Sequence, residues 1–206
     1  MDKIIINVGR QLGSGGRDIA QMLAIDFGCR FFDREILNLA ARESGFSEDF
    51  FEQNDEQRGF LKSHFHFHVP FVSDVNFYNN SFSQEGLFKI QSDAIRKAAT
   101  ETSCVFVGRC ADYVLRDFDN VVNIFITADL NDRVARVMKR HKCDEQAAKK
   151  FIRNGESERS SYYNYYTGKK WGHSSSYDLC INSSILGPKA TEEFIKTFIK
   201  EKLQII

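Results

Sequence analysis

The chain's most chemically suggestive residues lie close to its amino terminus, in Gly9-Arg10-Gln11-Leu12-Gly13-Ser14-Gly15-Gly16-Arg17-Asp18. Three glycines fall within four positions, and Arg10 and Arg17 flank them. Residues without a Cβ let a turn fold tightly and aim its backbone N–H groups inward, while a helix that follows adds the positive end of its dipole. Such a turn suits phosphate, with the two arginines supplying side-chain charge. The phosphate-loop pattern G-x-x-x-x-G-K-[ST] is not met: Gly16 stands where the lysine belongs, and Asp18 replaces the hydroxyl residue that would hold Mg²⁺. On pattern alone a phosphate cradle and a plain strand-turn-helix connection are both open. The spacing of a dinucleotide fingerprint is absent.

Other charged residues join this set further along. Gly108-Arg109 follows a short apolar run, with Asp112 three residues later, so an arginine and a carboxylate are expected in the same crevice as the glycine turn. Arg153 and Arg159 lie six apart on a polar helix with Glu156 midway. Arg136 and Arg140 read as a solvated helix face. His64, His66 and His68 alternate along an extended segment, a spacing able to hold a transition metal, but no carboxylate or cysteine lies nearby to complete a site. A half-buried aromatic ladder is the simpler reading. Tyr162, Tyr163, Tyr165 and Tyr166 can stack bases or pack a lid, and the packing role is preferred.

Positioning these groups falls to five short apolar runs, each with a helix beside it. Ile4 to Val8, Arg30 to Phe32, Cys104 to Val107, Val121 to Ile126 and Leu179 to Ile181 read as strands. Helices are expected from Asp18 to about Phe27, from Asp33 onward, from about Gln84 to Thr100, from about Asn131 to His141, beyond Cys143, and from Lys189 to Leu203 with Pro188 at its start. Parallel strands need crossover helices that cover both faces of the sheet, so the alternation predicts a three-layer α/β sandwich around a five-stranded parallel sheet. Ligands then sit outside the carboxyl ends of the strands, where the glycine turn lies. The aromatic stretch from Phe60 to Phe82 has poor periodicity and marks an inserted lobe.

Composition sets the outer bounds. The chain has 206 residues, of which 42% are hydrophobic, and 28 basic residues balance 28 acidic ones. A chain of about 200 residues buries roughly 70% of its unfolded surface, enough for one core with a small inserted lobe. Zero net charge argues against coating nucleic acid, and no apolar run approaches the length of about 20 residues that spans a membrane. Without a signal peptide or C-x-x-C pair, a cytoplasmic location with five reduced cysteines is expected.

Taken in order, four segments resemble the cytidylate kinase-like family: Ile5 to Asp18; Phe32-Asp33-Arg34-Glu35-Ile36-Leu37; Val107-Gly108-Arg109-Cys110-Ala111-Asp112-Tyr113-Val114-Leu115; and Tyr162 to Gly168 with Trp171-Gly172 and Tyr177-Asp178-Leu179. The resemblance implies a P-loop nucleoside monophosphate kinase-like fold formed by one domain over 1–206, with an acceptor-binding lobe over about 45–85 and a lid over about 144–176. It implies transfer of the γ-phosphoryl of ATP to CMP or dCMP with Mg²⁺. By position Arg10, Gly13, Ser14, Gly15, Gly16, Arg17 and Asp18 would hold the donor, with Arg17 in place of the lysine. Asp33, Arg109 and Asp112 would face the acceptor, and Arg17, Arg109, Arg153 and Arg159 would act on the transferring group, with no metal held by protein ligands alone. The chain departs from the family at Gly16 and at Cys110, where an aspartate follows the arginine. A noncatalytic nucleotide or phosphate sensor, or a kinase for another small acceptor, are the alternatives, and the oligomeric state is open between monomer and weak dimer.

Overall fold

Strand β1 (Ile5–Arg10) lies at the centre of a five-stranded sheet, and its side chains alternate between two apolar layers. Ile6 and Val8 face one layer and Ile5 the other, as the two-residue period of a strand requires. The computed structural model describes residues 3–33 and 77–205, with the backbone alone over 77–84. Helix α1 (Gly16–Asp26) follows the glycine turn, and β2 (Arg30–Phe32) comes next. Further along are α2 (Phe77–Glu101), β3 (Cys104–Val107), the short α3 (Ala111–Val114), β4 (Val121–Thr127) and α4 (Leu130–His141). Helix α5 (Glu145–Thr167), a 3-10 turn at Ser174–Ser176, β5 (Leu179–Asn182) and α6 (Ser183–Leu203) complete the chain.

The strands run parallel in the order β2-β3-β1-β4-β5, with β1 paired to β3 from Ile5 with Cys104 and to β4 from Ile5 with Val121. This is the α/β sandwich with a five-stranded parallel sheet that the alternation predicts. On one face Val105, Val107, Ile124 and Ile126 pack with Ile19 and Leu23 of α1 and Ile195 and Ile199 of α6. On the other, Phe32, Cys104 and Phe106 pack with Ile95 and Ala99 of α2 and Leu115 after α3. A smaller cluster joins Val134 and Val137 of α4 to Ala148 and Ile152 of α5, and Leu12 of the glycine turn packs against it.

Helix α2 begins at Phe77, seven residues before the expected Gln84. The added turns contain Asn79, Asn80, Ser81 and Ser83, which have low helix propensity and give no local signal of a start. Helix α5 starts where Asp144 accepts a hydrogen bond from the backbone N–H of Ala147 at 2.7 Å, an N-cap of ordinary chemistry. Helix α6 starts at Ser183, earlier than Lys189, and breaks at Gly187 with φ 75° and ψ 163°, so Pro188 still opens its longer segment. The helix expected after Asp33, the aromatic stretch up to residue 76 and the three alternating histidines lie outside the described residues. Among the described residues all five cysteines are free thiols, and no helix is long and apolar enough to cross a membrane.

Candidate functional site

The turn between β1 and α1 is tied down from three directions. Gly13 and Gly15 both take positive φ, 83° and 78°, which only glycine adopts without strain. Ser14 is fully buried: its hydroxyl donates to the Gln11 carbonyl at 2.9 Å and accepts the Gly16 N–H at 3.3 Å. From α6 the Ser183 hydroxyl donates to the Ser14 carbonyl at 2.7 Å. From α4 the Arg136 Nη1 donates to the Gly13 carbonyl at 3.1 Å, while a Cβ at Gly13 would meet the Arg133 carbonyl oxygen at 2.7 Å. Loop and helix are therefore in close backbone contact.

Arg10 runs through this arrangement. A Cβ placed on Gly16 would come within 2.6 Å of Arg10 Cβ, and one on Gly108 within 2.5 Å of Arg10 Nη1. The two glycines leave the space that the arginine stem and guanidinium fill. Burial lowers the Arg10 pKa to about 9, assisted by the neighbouring guanidiniums of Arg159, Arg109 and Arg17, with Asp33 acting in the opposite direction. A guanidinium with that pKa remains charged at neutral pH, and three other guanidiniums lie near enough to repel it.

Arg17 turns aside from the loop. Its Nε and Nη2 donate to Asp33 Oδ2 at 3.0 and 2.7 Å, and its guanidinium stands 5.7 Å from the centre of the Phe31 ring. Asp33 itself is buried, so the pair forms at the edge of the site with the carboxylate inside. Arg109 projects from a backbone in which Gly108, Arg109 and Cys110 all have positive φ, at 77°, 58° and 55°. For the two non-glycine residues that conformation costs about 1–2 kcal/mol each. It ends β3 abruptly and sends the Arg109 guanidinium over the Tyr162 ring, 5.2 Å from its centre. Cys110 is buried, and burial pushes its thiol up to about 12, consistent with an inert core cysteine.

Asp112 and Arg109 meet neighbouring residues of α5, Tyr163 and Tyr162. Asp112 is buried against α5, where the Tyr163 hydroxyl donates to its Oδ2 at 2.7 Å and Lys169 Nζ lies 3.9 Å away. Burial raises its pKa, against the lowering effect of the Tyr163 hydrogen bond, Lys169 and two backbone N–H groups. The tyrosine cluster packs α5 onto α2. Tyr166 stacks on Phe88 at 4.0 Å, the Tyr162 hydroxyl donates to Gln91 Oε1 at 3.4 Å, and Tyr165 donates to Glu85 at 3.3 Å. Trp171 meets Phe125 edge-on at 5.1 Å.

Of the two arginines on α5, one joins the site. Arg159 Nη1 donates to the Arg10 carbonyl at 3.4 Å, and burial lowers its pKa. Arg153 is exposed. Six residues at about 100° each place the two side chains about 120° apart around the helix, so one cannot follow the other into the site. Arg10, Arg17, Arg109 and Arg159 thus gather at the carboxyl end of the sheet, and Arg153 does not. Asp18 stands exposed in the first turn of α1.

Two further residues were not singled out by sequence. Arg136, read as part of a solvated face, holds the glycine turn, and the buried Arg133 pairs with Glu156 of α5. Their three-residue spacing puts them on one face of α4, and α4 leaves the end of the strand beside β1, which was the available signal. Arg140, one turn on, makes no contact with the site among the described residues.

A family model described as the cytidylate kinase-like family matches residues 5–185. The chain is similar to the crystal structure of an uncharacterized protein from Eubacterium ventriosum ATCC 27560, with 28% identity and a TM-score of 0.74 over 96% of this chain and 99% of that one. It shares a fold with a shikimate kinase from Bacteroides thetaiotaomicron at 11% identity and a TM-score of 0.53, over 96% of this chain and 98% of that one. No curated protein matches the chain.

Proposed function

This chain belongs to the cytidylate kinase-like family, and from that premise we propose that it transfers the γ-phosphoryl group of ATP to a pyrimidine nucleoside monophosphate, CMP or dCMP. The observation that carries this reading is the gathering of Arg10, Arg159 and Arg109 beside the glycine turn, with Arg17 held nearby by Asp33 and Arg10 filling the space between Gly16 and Gly108. In the reaction a phosphate oxygen of the acceptor attacks the γ-phosphorus and the bond to the β–γ bridging oxygen breaks, releasing ADP. An acceptor phosphate is already ionised at neutral pH, so the chemistry needs positioned charge more than a base. Arg10 takes over the charge role of the loop lysine, from the strand side of the turn. Arg109 and Arg159 approach from the acceptor and lid sides, and Arg17, released from Asp33, completes the set. Arginine suits this work because its planar fork binds phosphate oxygens two at a time.

Mg²⁺ fits as an ion carried by ATP, which keeps most of its waters and needs one or two protein oxygens at most. The Ser14 hydroxyl is spent on Gln11 and Gly16, whereas Asp18 is exposed in the first turn of α1, so Asp18 would hold the ion through its carboxylate. When bound, the metal neutralises charge that builds on the β- and γ-oxygens.

A second reading is a sensor that binds nucleotide without transfer. The pairing of Arg17 with Asp33 favours it, because it keeps one cation away from the loop. Purified protein incubated with ATP, Mg²⁺ and a panel of monophosphates separates the two. ADP release that depends on CMP or dCMP is the expected result. Tight ATP binding with no acceptor-dependent ADP from any monophosphate would establish the sensor, and turnover with another acceptor only would redirect the substrate.

A further inference from the structure

At the far end of α1, about 15 Å along the helix from the glycine turn, Asp26 approaches Glu192 and Glu193 of α6. One ligand oxygen from each carboxylate lies within 4.8 Å of the other two. Lys196 is the cation present there, bonding Asp26 Oδ2 at 2.5 Å and Glu193 Oε2 at 3.0 Å. One ammonium faces three carboxylates, and it gives Glu192 no hydrogen bond. Glu192 is only 3% exposed and its Oε1 is buried without a hydrogen-bond partner. A buried carboxylate oxygen left unpaired is costly, commonly by more than a surface ion pair returns. Its position beside two other carboxylates makes a cation a fitting partner.

We propose that Asp26, Glu192 and Glu193 form a binding site for a divalent cation of calcium size, with Lys196 as the counter-charge of the metal-free state. An all-oxygen set selects hard cations. Ca–O distances of about 2.3–2.6 Å let a single ion touch oxygens on opposite sides that are up to about 5 Å apart, with water completing six to eight ligands. Mg²⁺ needs near-octahedral geometry at about 2.0–2.1 Å and gives up its waters reluctantly, which disfavours it at a set of three carboxylates. Two of the carboxylates are exposed, so the ion has a path from solvent. The site joins the carboxyl end of α1 to α6, and both helices also hold the glycine turn at their other ends, α1 by direct continuation and α6 through Ser183. This site stands whether or not the chain is a kinase.

Calorimetric titration of Ca²⁺ into the full chain, stripped of metal with chelator and free of nucleotide, tests it. The expected result is one ion per chain, with affinity reduced at least tenfold in Asp26→Asn and Glu192→Gln and increased at least threefold in Lys196→Ala, where the competing ammonium is gone. Mg²⁺ is expected to bind at least tenfold more weakly. No saturable Ca²⁺ binding, or equal binding in wild type and Asp26→Asn, overturns the site, and Mg²⁺ binding as tightly as Ca²⁺ overturns the size assignment. Glu192 is buried, so if Glu192→Gln does not fold the decision rests on Lys196→Ala. That substitution loosens a purely structural ion pair, yet a metal site predicts tighter binding from it, and unchanged or weaker binding overturns the proposal.

Discussion

Gly16 and Arg10 occupy one space between them: a Cβ on residue 16 would lie 2.6 Å from Arg10 Cβ, a separation that real atoms do not tolerate. The clash is with the rigid start of the arginine side chain, so no rotamer of Arg10 relieves it. The glycine at the lysine position is therefore sterically coupled to the arginine at the end of β1.

Gly16→Ala is expected to lose activity even though alanine carries no charge and favours helix, because the added methyl displaces Arg10. Gly16→Lys should fare no better. The pair Arg10→Gly with Gly16→Lys removes the clashing Cβ and restores a loop cation, and should recover at least tenfold of the activity that Arg10→Gly loses. Acceptor-dependent ADP release across the four proteins checks this, with circular dichroism to confirm that each is folded.

The two arginines of α5 should behave differently. Arg159→Ala removes a half-buried guanidinium hydrogen-bonded to the Arg10 carbonyl and is expected to lower kcat by about 10²–10³, the cost of one charge-stabilising donor. Arg153→Ala removes an exposed side chain and should stay within about twofold of wild type. Steady-state kinetics on both variants decides it, and equal losses would mean that α5 rotates or shifts during the reaction.

Asp112 gives a pH signature. Burial raises its folded pKa above the ordinary value of 3.8, so the folded state holds the proton more tightly than the unfolded chain does. Its contribution to stability is then greatest at low pH and is lost as pH rises from about 4 through the raised folded value. The difference in urea-unfolding free energy between wild type and Asp112→Asn should follow that direction and level off above it. Tyr163→Phe removes the hydrogen bond that favours the charged form, so its loss of stability with rising pH should be larger. At neutral pH the variant should be less stable than wild type by about 1–3 kcal/mol, the cost of leaving a buried carboxylate short of a donor.

Much of this architecture is legible in the sequence because strands covered on both faces read as continuous apolar runs. Val105, Val107, Ile124 and Ile126 announce β3 and β4 without help from their neighbours. The glycine turn is equally plain, since its positive φ values at Gly13 and Gly15 demand that residue type. What sequence does not convey is direction. Arg17 and Arg10 flank the turn alike, and only the packing at Gly16 and Gly108 decides that Arg10 passes under it while Arg17 reaches Asp33. Arg136 resembles any exposed helix arginine until α4 is laid against the loop. Arg153 is a different case: its helical phase relative to Arg159 already separates the two. Asp112 follows Arg109 by three residues, and the spacing does not reveal that its carboxylate accepts a hydrogen bond from Tyr163.

Arg10 is proposed as the cation of the glycine turn in a working phosphotransferase. Measuring acceptor-dependent ADP release from ATP with CMP or dCMP, for wild type and Arg10→Ala side by side, tests it most directly. Turnover in the wild type and a drop of at least about 100-fold in a folded Arg10→Ala is the expected result. Turnover in Arg10→Ala within twofold of wild type would contradict it.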